Sequence, residues 1–301
     1  MKKIRAGSQR AVAQAISLVE NQVDEGKALL GQLYDPQSKA YRIGLTGPPG
    51  AGKSTLAKNL ATLWRDAGAK VGIISVDPTS PFTGGALLGD RLRMAQLFGD
   101  SKIFIRSMAT RGATGGLAAR SEDVSLVLEA AGFEVLILET VGVGQVELDI
   151  MNAVDTTVLV LVPESGDEVQ LMKAGIIEIA DIFVINKSDR PGSGKLKKAI
   201  EQLLELKNDQ DDWNLPVVNT CATSGEGTAE LFDCITRHQQ YLEHSGTITG
   251  NRVERDKRHV KEIVNGEKMD AFWTPEKENL LDQQVGKMSP MELSRLLLEQ
   301  D

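Results

Sequence analysis

The chain has 301 residues, enough for a large buried core and near the upper size of one domain. Its net charge of -8 argues against nucleic acid as the main partner, because phosphate backbones select basic surfaces. Two cysteines, Cys221 and Cys234, make neither a disulfide framework nor a metal cluster, which points to a reducing, cytoplasmic setting. No apolar run approaches the length needed to cross a membrane, and residues 1–10 are charged without the apolar centre of a secretory signal.

Along segment 8–33, Ile16, Val19, Val23, Leu30 and Leu33 recur mostly three, four and seven residues apart. That spacing predicts a helical segment with one apolar face, and Gly26 is the expected point of division into two helices. Asp35-Pro36 then marks a loop. Residues 1–40 therefore read as a helical extension docked on the domain that follows.

From residue 41 apolar strands and helical patterns alternate. Strands are predicted at 42–46, 71–76, 102–106, 135–139, 157–162, 182–186 and 217–221. Helices are predicted at 53–67, 89–98, 117–131, 168–179, 194–207 and 228–244. Short, continuously apolar strands between helices predict an α/β fold, a mostly parallel sheet covered by helices on both faces, over residues 41–245. Ligands in such sheets bind at the carboxyl ends of the strands.

At one such end stands Gly47-Pro48-Pro49-Gly50-Ala51-Gly52-Lys53-Ser54, followed by Thr55. It fits G-x-x-x-x-G-K-[ST] between a strand and a helix, the setting of a phosphate-binding loop. Glycines let successive N–H groups turn toward phosphate oxygens, and the helix start adds its positive dipole end. Lys53 is placed to reach the β and γ phosphates, and the Ser54 hydroxyl to hold Mg²⁺.

Asn186-Lys187-Ser188-Asp189 follows another apolar strand and fits N-K-x-D, the guanine-reading element of GTP-binding proteins. A carboxylate at Asp189 accepts from both N1–H and the 2-amino group of guanine. Adenine offers neither, and leaving a carboxylate poorly paired costs on the order of a few kcal/mol. The aliphatic part of Lys187 can cover the base plane. After the next strand, Cys221-Ala222-Thr223 occupies the place of the S-A-x element, whose backbone N–H contacts the guanine oxygen. Cys221 itself reads equally well as a small buried residue.

Glu139-Thr140-Val141-Gly142 resembles D-x-x-G with Glu for Asp. Glu139 can hold a water on Mg²⁺, and the Gly142 N–H can bond the γ-phosphate. Asp77 offers another acid near the metal. Asp90 is a third, or else a charge at a helix start. Gln145 is either a water-orienting group or a helix-start residue. Residues 110–117 form a second glycine-rich stretch opening a helix, by itself a weak signal.

After residue 246 the chain has no strand pattern. Val253, Val260, Ile263 and Val264 form a sparse apolar face among mixed charges, and Ser289-Pro290 opens a last helix as N-cap and first position. The tail, 246–301, packs on its own domain or forms a subunit contact; the spacing does not choose.

Together the phosphate loop, Val76-Asp77-Pro78-Thr79-Ser80-Pro81, Gly89-Asp90-Arg91-Leu92-Arg93-Met94, Glu139-Thr140-Val141-Gly142-Val143-Gly144-Gln145 and Asn186-Lys187-Ser188-Asp189 resemble the MeaB/ArgK family of P-loop GTPases. The resemblance implies a P-loop NTPase fold, GTP/GDP and Mg²⁺ as cofactors, and GTP hydrolysis. It implies a chaperone that gates adenosylcobalamin loading into methylmalonyl-CoA mutase and protects that enzyme. It implies a homodimer built through the C-terminal helices, with Asp77, Asp90 and Glu139 around Mg²⁺ and residues 162–173 as a mobile segment that reports to the partner. Two other readings stand beside it. A metallochaperone GTPase for a nickel enzyme would want a Cys/His site, whereas the histidines are His238, His244 and His259 with no C-x-x-C. A P-loop kinase usually binds ATP, which Asn186-Lys187-Ser188-Asp189 opposes.

Overall fold

A computed structural model describes residues 1–21, 24–38, 40–77, 94–109, 116–140, 152–164, 179–206 and 213–299. The chain divides into two compact units, Met1–Arg255 and Asp256–Asp301.

In the first unit, helices α1 (Lys2–Arg5), α2 (Gln9–Glu20) and α3 (Asp24–Leu33) precede strand β1 (Tyr41–Thr46). Then come α4 (Lys53–Asp66), β2 (Val71–Asp77), β3 (Ile103–Ala109), α5 (Gly116–Ala130), β4 (Val135–Glu139), β5 (Thr156–Leu161), β6 (Ile182–Ile185), α6 (Ser193–Leu206), β7 (Val217–Asn219) and α7 (Thr228–His244). The strands form a seven-stranded sheet in the order β3-β2-β4-β1-β5-β6-β7, and every neighbouring pair is parallel. β1 is central, so the loop that leaves its carboxyl end lies at the middle of the sheet edge.

Every residue of β1, β4, β5 and β6 is buried, which is why these segments read as continuous apolar runs rather than alternating ones. Successive side chains serve opposite faces. Ile43, Leu45, Ile73 and Ile137 pack with Leu56, Leu60 and Trp64 of α4 and Leu231 and Ile235 of α7. Ile74, Leu136 and Leu138 pack with Val12, Ile16 and Val19 of α2 and Val124, Val127 and Leu128 of α5. Leu159, Phe183 and Ile185 meet Leu196 and Ile200 of α6. The N-terminal extension thus completes one covering layer.

Gly26 does not divide the first helical segment. The break falls between Glu20 and Asp24, and Gly26 lies buried inside α3. A Cβ there would sit 2.7 Å from the Leu18 carbonyl oxygen, so the glycine allows α3 to approach the backbone of α2. The strand predicted at 217–221 stops at Asn219, because Cys221 leaves the ladder to form an antiparallel bridge with Glu226. The strand predicted at 102–106 runs on to Ala109. Of the helix predicted at 89–98, residues 94–98 are described and form a 3₁₀ turn at Ala95–Leu97 rather than an α-helix; residues 89–93, Val23, and nearly all of the helix predicted at 168–179 lie outside the described residues.

At the amino ends of the central strands lies a buried charge cluster. Arg42 on β1 donates to Glu122 at 2.5 Å and to Glu129 at 2.7 Å, both on α5. Its backbone N–H donates to Asp155, which also meets Arg255 at 3.2 Å. Burial opposes a charge on Arg42, yet the two glutamates hold its pKa above the ordinary value. Beside this cluster His238 accepts or donates at Thr156 Oγ1, 2.7 Å away, and its ring packs at a tilt against Trp213, 4.7 Å between centroids.

Helix α8 (Thr247–Phe272) runs past the unit boundary in sequence, followed by α9 (Pro275–Gln284) and α10 (Pro290–Leu298). Ser289 caps α10 in a capping box with Glu292, with Pro290 in the first turn. Thr274-Pro275 opens α9 with an N-cap, Thr274 accepting from the Lys277 N–H, and a first-turn proline, a start signal the sequence reading passed over. The second unit is tied by buried Leu293 and Leu297 and by Lys277 Nζ 4.0 Å from the Phe272 ring. Val253, Val260, Ile263 and Val264 on α8 are each more than 40% exposed. No described helix is long and apolar enough to cross a membrane.

Candidate nucleotide site

The phosphate loop joins β1 to α4, as the strand–loop–helix pattern predicts. Lys53 is 5% exposed, and its Nζ donates to the carbonyls of Gly47 at 2.7 Å and Pro48 at 3.1 Å. Those carbonyls hold a flexible side chain across the loop, so its charge is placed before any ligand arrives. Ser54, one residue further on, donates from Oγ to Glu139 Oε1 at 2.5 Å.

Glu139 ends β4, in register with Leu45 of β1 and Ser75 of β2. Its second oxygen lies 3.4 Å from Ser75 Oγ. The carboxylate is buried and held between hydroxyls from two neighbouring elements. Thr140 continues the edge, donating to Thr46 Oγ1 at 3.3 Å. Ser75 escaped the sequence reading; its position two residues before Asp77 on one strand was the available signal. Asp77 closes β2 at the same end of the sheet.

The donor set here is hard oxygen. Among the described residues no group of three or more His, Cys, Asp or Glu side chains is placed to hold a metal by itself. Mg²⁺ fits such a place, because it keeps several waters and takes other ligands from substrate phosphates.

Asn186 links the phosphate loop to the base motif. It is 2% exposed. Its Nδ2 donates to the Ala51 carbonyl at 2.7 Å, while Oδ1 accepts from Thr220 Oγ1 at 3.1 Å and from the Ala222 N–H at 3.0 Å. One side chain therefore fixes the spacing between residues 47–54 and 220–222. Lys187 follows with φ 55°, the one described non-glycine residue at positive φ. Such backbone strain costs on the order of 1–3 kcal/mol and collects at ligand clamps. It was invisible in sequence. Asp189 is exposed beyond it, and the Ser188 N–H ties the motif to the Thr220 carbonyl at 3.0 Å. Cys221 is buried, and its N–H is spent on Glu226.

The structure thus brings together Gly47 through Thr55, Glu139, Asn186 through Asp189, and Cys221 through Thr223 along one edge of the sheet. Asp90, Gly142, Gln145 and residues 110–115 lie outside the described residues, as do 165–173 of the proposed reporting segment. His244 is the last residue of α7, and His259 lies on α8.

Residues 12–277 match the family model described as Methylmalonyl Co-A mutase-associated GTPase MeaB. A Pyrococcus abyssi protein described as a GTPase is 48% identical over 269 residues, 88% of this chain and 83% of that one. The mitochondrial methylmalonic aciduria type A homolog of Mus musculus is 32% identical over 317 residues, 97% of this chain and 76% of that one. Among solved structures, the LAO/AO transport system kinase aligns with a TM-score of 0.73 at 26% identity, covering 99% of this chain and 95% of that one. The fold is that of a P-loop NTPase, and the chain belongs to the methylmalonyl-CoA mutase-associated GTPase family MeaB.

Proposed function

We propose that the protein binds GTP with Mg²⁺, hydrolyses it to GDP and phosphate, and uses that cycle to gate adenosylcobalamin loading into methylmalonyl-CoA mutase and to protect that enzyme. The observation that carries the GTP reading is the Asn186 bridge, which joins a phosphate loop to a guanine motif at fixed spacing. Lys53 then meets the β and γ phosphates. Ser54, Asp77, Asp90 and Glu139 make the Mg²⁺ neighbourhood, by direct or water-mediated contact. When bound, the ion would offset charge developing between the phosphates. Gly142 contributes an N–H to the γ-phosphate. Lys187 covers the base, Asp189 reads its N1–H and 2-amino group, and residues 221–223 read its oxygen.

The partner reading is supported by the family description, which names that mutase, and by a relative named for methylmalonic aciduria. A homodimer is supported by the exposed apolar residues of α8, spaced to share a helix face. Two measurements test the proposal. Asp189→Asn should prefer XDP to GDP in competition binding, since xanthine carries an oxygen where guanine has the 2-amino group. A variant that still favours GDP tenfold, about 1.4 kcal/mol, removes Asp189 from base reading. GTP turnover should rise when the mutase is added; equal turnover with and without it removes the partner.

A further inference from the structure

The base loop and the phosphate-loop helix are joined a second time, by a residue outside every motif above. Asn59 stands on α4, six residues after Lys53, and is half-buried. Its Nδ2 donates to the Ala222 carbonyl at 2.8 Å. Asn is a poor choice for a helix interior, about 0.5 kcal/mol worse than Ala, so its placement breaks a local rule at the site.

The consequence lies in the peptide that Asn59 holds. In a trans peptide the carbonyl and the following N–H point in opposite directions. The structure has no cis peptide among the described residues. Tethering the Ala222 carbonyl toward α4 therefore aims the Thr223 N–H away from α4. The Ala222 N–H is already engaged by Asn186 Oδ1 at 3.0 Å. Thr223 is exposed, and its N–H has no hydrogen-bond partner among the described residues. Of the two successive amide donors, one is occupied by protein and one is held open.

We infer that Asn59 is a positioning residue for base recognition: it orients the Ala222–Thr223 peptide so that the Thr223 N–H donates to the O6 oxygen of guanine. The inference rests on the guanine reading proposed above and adds to it a division of labour. Asp189 reads N1–H and the 2-amino group; Asn59 sets the group that reads O6. An Asn59 that merely tied α4 to the loop would affect all nucleotides alike. A positioning residue changes discrimination at one atom.

The test uses the full chain and three diphosphates: GDP, 6-thio-GDP, whose sulfur is a weak acceptor in place of O6, and IDP, which lacks the 2-amino group. The unaltered protein should bind GDP more tightly than either analogue. In Asn59→Ala, GDP affinity should fall about tenfold, the weight of one well-placed hydrogen bond. The preference for GDP over 6-thio-GDP should shrink toward unity while the preference for GDP over IDP stays. Asn59→Asp, close in shape but presenting an oxygen to the carbonyl, should behave as Asn59→Ala does, and melting curves report the fold of each variant. Equal losses for all three nucleotides, or an unchanged GDP to 6-thio-GDP ratio in either folded variant, would overturn the inference. Failure of the underlying guanine reading shows separately, as no preference for GDP over ADP in the unaltered protein, and it removes both.

Discussion

Replacing Gly52 by Ala tests whether the phosphate loop and the base motif form one mechanical unit. Gly52 has φ 94°, in the left-handed region, where a side chain costs about 1–2 kcal/mol. The new Cβ would also fall 2.2 Å from Asn186 Nδ2. The far end of a side chain usually moves aside cheaply. Asn186 cannot, because it is 2% exposed and makes hydrogen bonds to Ala51, Thr220 and Ala222. Moving it leaves at least one buried polar group unpaired, at about 1–3 kcal/mol. The expected loss of stability is therefore about 2–5 kcal/mol. Gly50→Ala is the matched control. Gly50 has φ 75° and nothing within 4 Å of an added Cβ, so it carries the backbone term alone. Urea denaturation of both variants, with GDP binding by calorimetry, separates the terms. Gly52→Ala should be less stable than Gly50→Ala by about 1–3 kcal/mol and should lose more GDP affinity. Equal stability and equal affinity in the two variants would refute the rigid bridge.

Glu139→Ala should impair GTP hydrolysis more than GDP binding, since the buried carboxylate faces Ser54 and Ser75 rather than the base loop; equal losses would make its role structural. Arg42→Met should destabilise the fold by about 3–5 kcal/mol in chemical denaturation, because it leaves Glu122 and Glu129 buried without their shared cation. A loss below about 1 kcal/mol would show that water or Arg255 replaces it. His238 is held neutral by burial, its pKa lowered from 6.5 to about 4. The unfolded chain therefore takes up this proton first as pH falls. Its contribution is complete above pH 6.5 and lost through the window down to about 4. The parent should lose about 2 kcal/mol from this group between pH 7 and pH 5, and His238→Gln should flatten that slope; parallel profiles would contradict it.

What the sequence made legible were groups whose chemistry is local. A phosphate loop needs closely spaced glycines, a cation and a hydroxyl, and residues 47–54 supply them in one run. The N-K-x-D pattern is four consecutive residues after a strand, and Asn186 to Asp189 stand there. Fully buried parallel strands announce themselves by unbroken apolar character, so the sheet was readable from its segments. Contacts that depend on crossovers were not. Arg42, the α5 pair Glu122 and Glu129, Asp155 and Arg255 come from four distant parts of the chain and meet because parallel pairing places β4 and β5 on either side of β1. Nothing in a window of ten residues encodes that meeting. Asn59 and the positive φ of Lys187 were hidden for the same reason, since each has meaning only beside the base loop. Gly26 misled, because a glycine that breaks a helix and a glycine that admits a neighbouring backbone look alike until the neighbour is known.

The departure at Glu139 shows how register turns a sequence oddity into geometry. Sequence comparison with D-x-x-G leaves Glu as a mere substitution. In the sheet, Glu139 pairs across to Leu45 on one side and Ser75 on the other, so its side chain starts between the strand that feeds the phosphate loop and the strand that ends at Asp77. Its two oxygens then meet Ser54 at 2.5 Å and Ser75 at 3.4 Å. Removing one methylene would draw the carboxylate back toward β4 by about 1.5 Å, beyond hydrogen-bond reach of a hydroxyl that sits across the loop. The longer acid keeps the P-loop serine and the end of β2 on one carboxylate, a link that a shorter one at this register would break.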